Sequence, residues 1–229
     1  WSINTLNDDL SGLLKEGEWK YWYENGKKSA EENYKDGIKD GDWKKWHENG
    51  KFKSHKNYKN DKLNLEITEW YESGQKKSVI NSKDIQLTHE YSQDYLFHYY
   101  YPDGEMTEWY ENGQKKLEGN HKYFGEESST TKSNVINKIG TWNEWHENGQ
   151  KQSVSLYNKE GYLDGRYTEW HENGQKSSEG YFNDEYRRDR IRGQTAMNGC
   201  IDGTWKEWYE NGQIKTETNY SDDLENSNY

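Results

Sequence analysis

The chain is short of the residues that usually build a core. Of 229 residues, Leu, Ile, Val and Phe together supply 29. There is one Cys and one Pro. No apolar run reaches the roughly 18 residues that a membrane helix needs, which excludes a membrane span. The lone Cys200 cannot form an internal disulfide framework or a Cys-rich zinc site. Cations are outnumbered, 31 Lys and Arg against 42 Asp and Glu, for a net charge of −11. A nucleic-acid partner is disfavoured by that balance, since such affinity comes mostly from phosphate neutralisation. No Ser/His/Asp or Cys/His arrangement and no phosphate-cradling Gly loop is present, so no catalytic residue, cofactor or metal is expected. Few aliphatics with high negative charge is the composition of a disordered chain. The aromatics overturn that reading: 12 Trp, 20 Tyr and 4 Phe. Each of the Trp and Tyr side chains buries a large apolar surface and carries a polar handle. Such a supply suits many half-buried positions and not one deep aliphatic core. The chain starts at Trp1 and not Met, as a processed or truncated chain does, and both a cytoplasmic and a cell-surface location fit.

A repeat organises these aromatics. Its copies are WYENGKK (22–28), WHENGKF (46–52), WYESGQK (70–76), WYENGQK (109–115), WHENGQK (145–151), WHENGQK (170–176) and WYENGQI (208–214). The first Trp of each copy is position 0: Trp22, Trp46, Trp70, Trp109, Trp145, Trp170 and Trp208. At −5 stands Gly in every copy but the third, which has Leu65. At −3 stand Trp19, Trp43, Ile67, Met106, Trp142, Tyr167 and Trp205. At +12 stand Tyr34, Tyr58, Ser82, His121, Tyr157, Phe182 and Tyr220.

One copy reads as a β-hairpin. Asn-Gly flanked by aromatics predicts a two-residue type I′ turn with positive φ at both central residues. That turn pairs position x with 7−x, so the +12 ring faces the −5 Gly, whose missing side chain leaves it room. Alternation places −3, +1 and +12 on one face, read as the buried one. Positions 0, +2 and −2 share the other, a polar face carrying a Trp row. The seven +2 Glu residues are expected to pair across the strand with Lys or Gln at +5. His47, His146 and His171 alternate with Tyr at +1, which argues for packing over metal binding. The fold expected is all-β: an elongated, twisted antiparallel sheet of about seven to eight stacked hairpins. Residues 1–14 are read as an N-terminal cap, 15–220 as seven repeats with inserts, and 221–229 as a C-terminal tail.

The inserts lie at 84–100, 125–138 and 183–197. Alternation in the first suggests an additional hairpin without the motif. The second is Ser/Thr/Asn-rich and reads as a mobile loop. The third holds Arg187, Arg188, Arg190 and Arg192, a basic island on an acidic chain.

The copies resemble the MORN-repeat variant family, with its consensus G-x-W-x-x-W-Y-E-N-G-Q-K, over roughly residues 15–220. Some members are labelled YwqK-type antitoxins. The resemblance implies stacked hairpins and a non-enzymatic role in protein or membrane association. Departures are the three inserts, Leu65, Ser73 and Ser82. The expected function is a non-catalytic scaffold that binds another protein, as an antitoxin or immunity protein, through Trp109, Trp145, Trp170 and Trp208 with Arg187, Arg188, Arg190 and Arg192. The alternative is a glycan-binding or cell-surface module that uses the Trp row. The open sheet ends fit a monomer or an end-to-end dimer.

Overall fold

A computed structural model describes residues 14–81, 87–88, 99–100, 103–124, 135–183 and 200–220, all of them strand, turn or connection. β1 (Gly17–Trp22) and β2 (Lys28–Lys35) form the first hairpin, followed by the short β3 (Ile38–Lys39). β4 (Gly41–Trp46) with β5 (Phe52–Lys59) is the second, and β6 (Lys62–Trp70) with β7 (Lys76–Asn81) the third. The short strands β8 (Leu87–Thr88) and β9 (Tyr99–Tyr100) come next. The fourth hairpin is β10 (Gly104–Trp109) with β11 (Lys115–Phe124), and the fifth is β12 (Val135–Trp145) with β13 (Lys151–Tyr157). The sixth is β14 (Gly165–Trp170) with β15 (Lys176–Asn183), and the seventh is β16 (Cys200–Trp208) with β17 (Ile214–Tyr220).

All seven hairpins join one antiparallel sheet of 15 strands, laid down in chain order from β1 to β17 with β3 beside β2. At about 4.8 Å per strand the sheet extends roughly 60 Å across its strands. β8 and β9 pair with each other in a separate two-stranded sheet. Val135–Lys138 continue β12 and pair with β11, so this end of the expected second loop is strand. Asn183, the first residue of the third insert, is likewise strand and pairs with Cys200.

The turn at E-N-G differs from the expected type I′. The +4 Gly amide donates to the +1 carbonyl at 2.8–3.0 Å, and the +1 amide donates to the +5 carbonyl. The loop is therefore three residues, a type I turn closed by a Gly in the left-handed region. That Gly has φ between 80° and 91° in all seven copies, while no +3 Asn has positive φ. The expected pairing of x with 7−x nevertheless holds from −1 to −5, as in Tyr21↔Ala30 and Gly17↔Tyr34. A bulge between −1 and 0 supplies the missing residue in each hairpin. Type I′ geometry occurs at the opposite edge, where Asp36 and Gly37 have φ of 51° and 82°, and Asn60 and Asp61 have 50° and 60°.

The −5 Gly does face the +12 residue, as Gly41↔Tyr58 and Gly165↔Phe182 show. Its reason is backbone conformation, with φ of 66° to 147°, and not room for the ring. A Cβ on Gly17, Gly140 or Gly203 would meet nothing within 4 Å.

Both faces are partly covered, which corrects the division into one buried and one polar face. The described apolar core is Ala30, Tyr58, Leu63, Trp142 and Phe182. Thr68 and Thr168, at −2 on the expected polar face, are buried too. Most of the −3 and position-0 side chains are half-buried. The extremes are Trp142 at 1% exposure in the −3 row and Trp22 at 57% in the other. A further row went unnoticed in the sequence: Ala30, Ser78, Ser153 and Ser178 at +8 are small and buried. Each +8 residue pairs with its own hairpin's −1 residue and with the next hairpin's, as Ser178 does with Glu169 and Glu207.

Trp142 shows how one repeat packs on another. Its ring lies over Gly119 of the preceding hairpin, where an added Cβ would fall 2.3 Å from the ring. The ring cannot swing aside freely, because Nε1 donates to the Asn120 carbonyl at 3.1 Å. Gly119→Ala should therefore destabilise the protein by about 1–3 kcal/mol, the usual cost of overpacking. Urea unfolding checks this; the same substitution in a Trp142→Leu background should cost clearly less, and an equal cost in both would refute the packing argument.

Candidate functional site

Two rows of repeated side chains tie each hairpin to the next along the turn edge. The first is +1, where Tyr and His interchange. Tyr23, Tyr71 and Tyr110 donate their hydroxyls to the position-0 carbonyl of the following hairpin. His47, His146 and His171 bond through Nε2 to the same carbonyl of theirs. The six distances span 2.6–3.0 Å. A carbonyl only accepts, so each His carries its proton on Nε2. Tyr and His are thus equivalent because both present a ring with a donor at its tip. Packing alone, the reading from sequence, misses that bond.

The second row is +3. Asn25, Asn49, Asn112, Asn148 and Asn173 donate Nδ2 to the +2 carbonyl of the next hairpin at 2.6–3.1 Å. Their Oδ1 atoms accept the +5 amide of their own turn. Ser73 is too short for this reach, so the third junction lacks the Asn bond. The +2 Glu side chains sit in the turns and are all exposed. The expected cross-strand pairing with +5 is not what holds them, because +2 lies in the loop and its backbone carbonyl does the work.

The Trp row runs beside these turns. Trp109, Trp145, Trp170 and Trp208 are the last residues of β10, β12, β14 and β16 and are half-buried. Cations from +6 cover their rings. Lys76 lies 5.7 Å from the Trp109 centroid and Lys176 lies 5.9 Å from that of Trp208. Trp145 has Lys115 at 5.2 Å and Lys151 at 4.3 Å. Burial there pushes the Lys151 ammonium below its usual pKa. Phe52 fills the same place between Trp46 and Trp70, at 5.3 and 5.5 Å. A +6 Lys over a Trp ring contributes about 0.5–1 kcal/mol when the cation is exposed.

On the opposite side, −7 does a similar job that the sequence reading missed. Lys15, Lys39 and Lys138 lie 4.4–4.9 Å from the centroids of Trp19, Trp43 and Trp142. Leu63 occupies −7 in the third repeat and is buried.

Arg187, Arg188, Arg190 and Arg192 lie outside the described residues. The residues flanking their segment, Asn183 and Cys200, pair at the edge away from the E-N-G turns. Along β16, Trp208 is at the other end, roughly 27 Å from Cys200 at about 3.3 Å per residue. Asn183 and Cys200, between which the Arg segment falls in the sequence, therefore lie at the edge opposite the Trp row. Among the described residues no cluster of His, Cys, Asp and Glu could hold a metal ion. No described helix is long and apolar enough to cross a membrane.

An open, single-layer sheet of stacked hairpins whose conserved geometry goes into holding neighbours together is a β-repeat protein. Residues 15–36, 39–60, 99–123, 138–159, 163–184 and 201–222 match the MORN repeat variant family. With more than half its length matched, the chain belongs to that family. The unmatched third hairpin is the one with Leu65, Ser73 and Ser82. MORN repeats are generally non-catalytic modules for protein or membrane binding. No curated protein matches the chain significantly.

Two expected outcomes follow from this geometry. His171→Phe should cost about 1 kcal/mol through the lost bond to the Trp208 carbonyl, while His171→Tyr should restore most of it. Equal losses in urea unfolding would show that the ring alone matters. His121, against Trp142 at 4.7 Å, is a different case. Its Nδ1 is buried without a hydrogen-bond partner. Burial, then the nearby Lys138 charge, pushes its pKa below the usual value, with Glu108 opposing weakly. The unfolded chain therefore binds the proton more readily, and stability is lost as pH falls below about 6.5. His121→Phe should remove that acid sensitivity and leave stability at neutral pH equal or higher; unfolding curves at neutral and mildly acidic pH with unchanged slopes would contradict it.

Proposed function

We propose that this protein is a non-catalytic scaffold that binds another protein along the sheet. The observation that supports this reading is the single layer: among the described residues no second layer covers the aromatic rows, which stay half-exposed over seven hairpins. Such a surface suits an extended partner that contacts several repeats at once. The contacts proposed are Trp109, Trp145, Trp170 and Trp208 at the turn edge, with Arg187, Arg188, Arg190 and Arg192. The net charge of −11 favours a mainly basic partner surface, and the Arg segment an acidic patch on the same partner. Within that reading, the finer role is that of an antitoxin or immunity protein, acting by occlusion. A glycan partner is less well supported, because Lys ammoniums already occupy faces of Trp109, Trp145 and Trp208 on which a sugar would stack.

The triple variant Arg187→Glu, Arg188→Glu, Arg190→Glu should fold normally, since the segment lies outside the repeat frame. Capture of the partner from native lysate should fall, and more steeply at low salt, where exposed charges are less screened. Recovery equal to the parent would remove the Arg segment from the interface.

A further inference from the structure

Among the described residues, the two outermost hairpins of the sheet carry unused halves of the junction that joins the internal pairs of hairpins. At the seventh hairpin, Tyr209 is 52% exposed, and its hydroxyl has no hydrogen bond among the described residues. The other six +1 side chains all reach a position-0 carbonyl. Asn211 turns back to Gln213 of its own turn at 3.3 Å, where other +3 Asn residues reach forward. Ile214, at +6, is 56% exposed, and β17 is exposed along its whole length. At the first hairpin the complementary parts stand open. Trp22 is 57% exposed and Trp19 38%. No side chain among the described residues donates to the Trp22 or Glu24 carbonyls.

From this we infer that the chain associates head to tail, with β17 of one copy pairing with β1 of a second copy in the register of the internal junctions. Internally, +9 pairs with −2 of the next hairpin, as in Glu31↔Lys44 and Glu179↔Lys206. The same register sets Glu217 of one copy opposite Lys20 of the next, the same pair of charges. It sets Ile214 against Trp22, as Phe52 meets Trp70. It also sets Tyr220 against Trp19, as Tyr34 meets Trp43 at 5.2 Å edge-on. Tyr209 then donates to the Trp22 carbonyl and Asn211 to that of Glu24. Five of seven repeats carry Lys at +6, whereas the outward-facing one carries Ile. An apolar residue there suits a ring still to be covered, and an exposed edge strand is a ready template for pairing.

The contact is heterologous: the surface that one copy offers is not the one it uses to receive. Such contacts propagate into open chains unless they close into a ring. This goes beyond the scaffold reading and stands or falls independently of it.

Sedimentation velocity of the full chain tests it, from micromolar to hundreds of micromolar concentration. The parent should show a weight-average sedimentation coefficient that keeps rising past the dimer. A variant blocked at the receiving end, Lys20→Glu with Trp22→Glu, should be monomeric throughout. So should one blocked at the offering end, Tyr209→Ala with Ile214→Glu. Mixed together, the two should form one-to-one dimers and nothing larger, since one good end remains on each. Circular dichroism checks that both fold; if the Trp22 variant does not, Lys20→Glu alone serves, and Glu217→Lys in the same chain should restore association. A parent that stays monomeric overturns the inference. So does a parent that stops at dimer, or blocked variants that associate as the parent does, because either points to a symmetric contact or to another surface.

Discussion

Everything in this sheet hangs on one recurring bond, from the +1 Tyr or His of each hairpin to the position-0 carbonyl of the next. Backbone pairing within a hairpin is long, six Cα partners in the first. Pairing between hairpins varies, from two partners at the first and fifth junctions to seven at the fourth. Where the ladder is short it cannot by itself resist slipping by a residue, which would turn every side chain to the wrong face. The +1 bond pins the register from outside the ladder, and the Asn row pins it again two residues further into the turn. The third junction keeps only the +1 bond, and there the longest intervening segment is inserted.

Stability in such a molecule is spread thin. Few side chains are fully buried, and most of the aromatic surface is shielded by a neighbour's ring, a Lys stem or a backbone strand. Trp142 and Tyr58 are covered within this single layer by the adjacent hairpins, by Lys138 and Lys39, and by ring contacts. Interactions link nearest neighbours, so each hairpin is stable chiefly because the next one is present. Rings lean toward the preceding hairpin and donors reach toward the following one. That polarity is why the two ends differ, one left with exposed rings and the other with idle donors.

The same economy shapes what the surface can do. Aromatic rows alternate with Lys caps and cross-strand ion pairs such as Lys116–Glu108 and Lys215–Glu207. Solvent-exposed pairs of this kind contribute little to stability, about 0–1 kcal/mol. They put charged groups beside the half-buried rings of the sheet. A repeat surface of this composition offers breadth and orientation.

The sequence by itself determined the hairpin count and the −5/+12 pairing, because a seven-fold repeat samples the same local physics seven times. It also determined the family, through the E-N-G-Q-K turn. The turn type escaped it, since Asn-Gly suits both a two-residue type I′ loop and a three-residue loop with Gly left-handed. The difference lies in where the Asn side chain finds its acceptor, which is a carbonyl 23 to 37 residues away along the chain. The division into faces failed for a related reason. Alternation tells which side chains share a face, but here each face is covered by the neighbouring hairpin, and exposure depends on having one. Only the tertiary structure decided that Tyr and His are interchangeable donors and that Gly119 makes room for Trp142. Each of these is a relation between residues of different hairpins, and a pattern read one repeat at a time does not contain it.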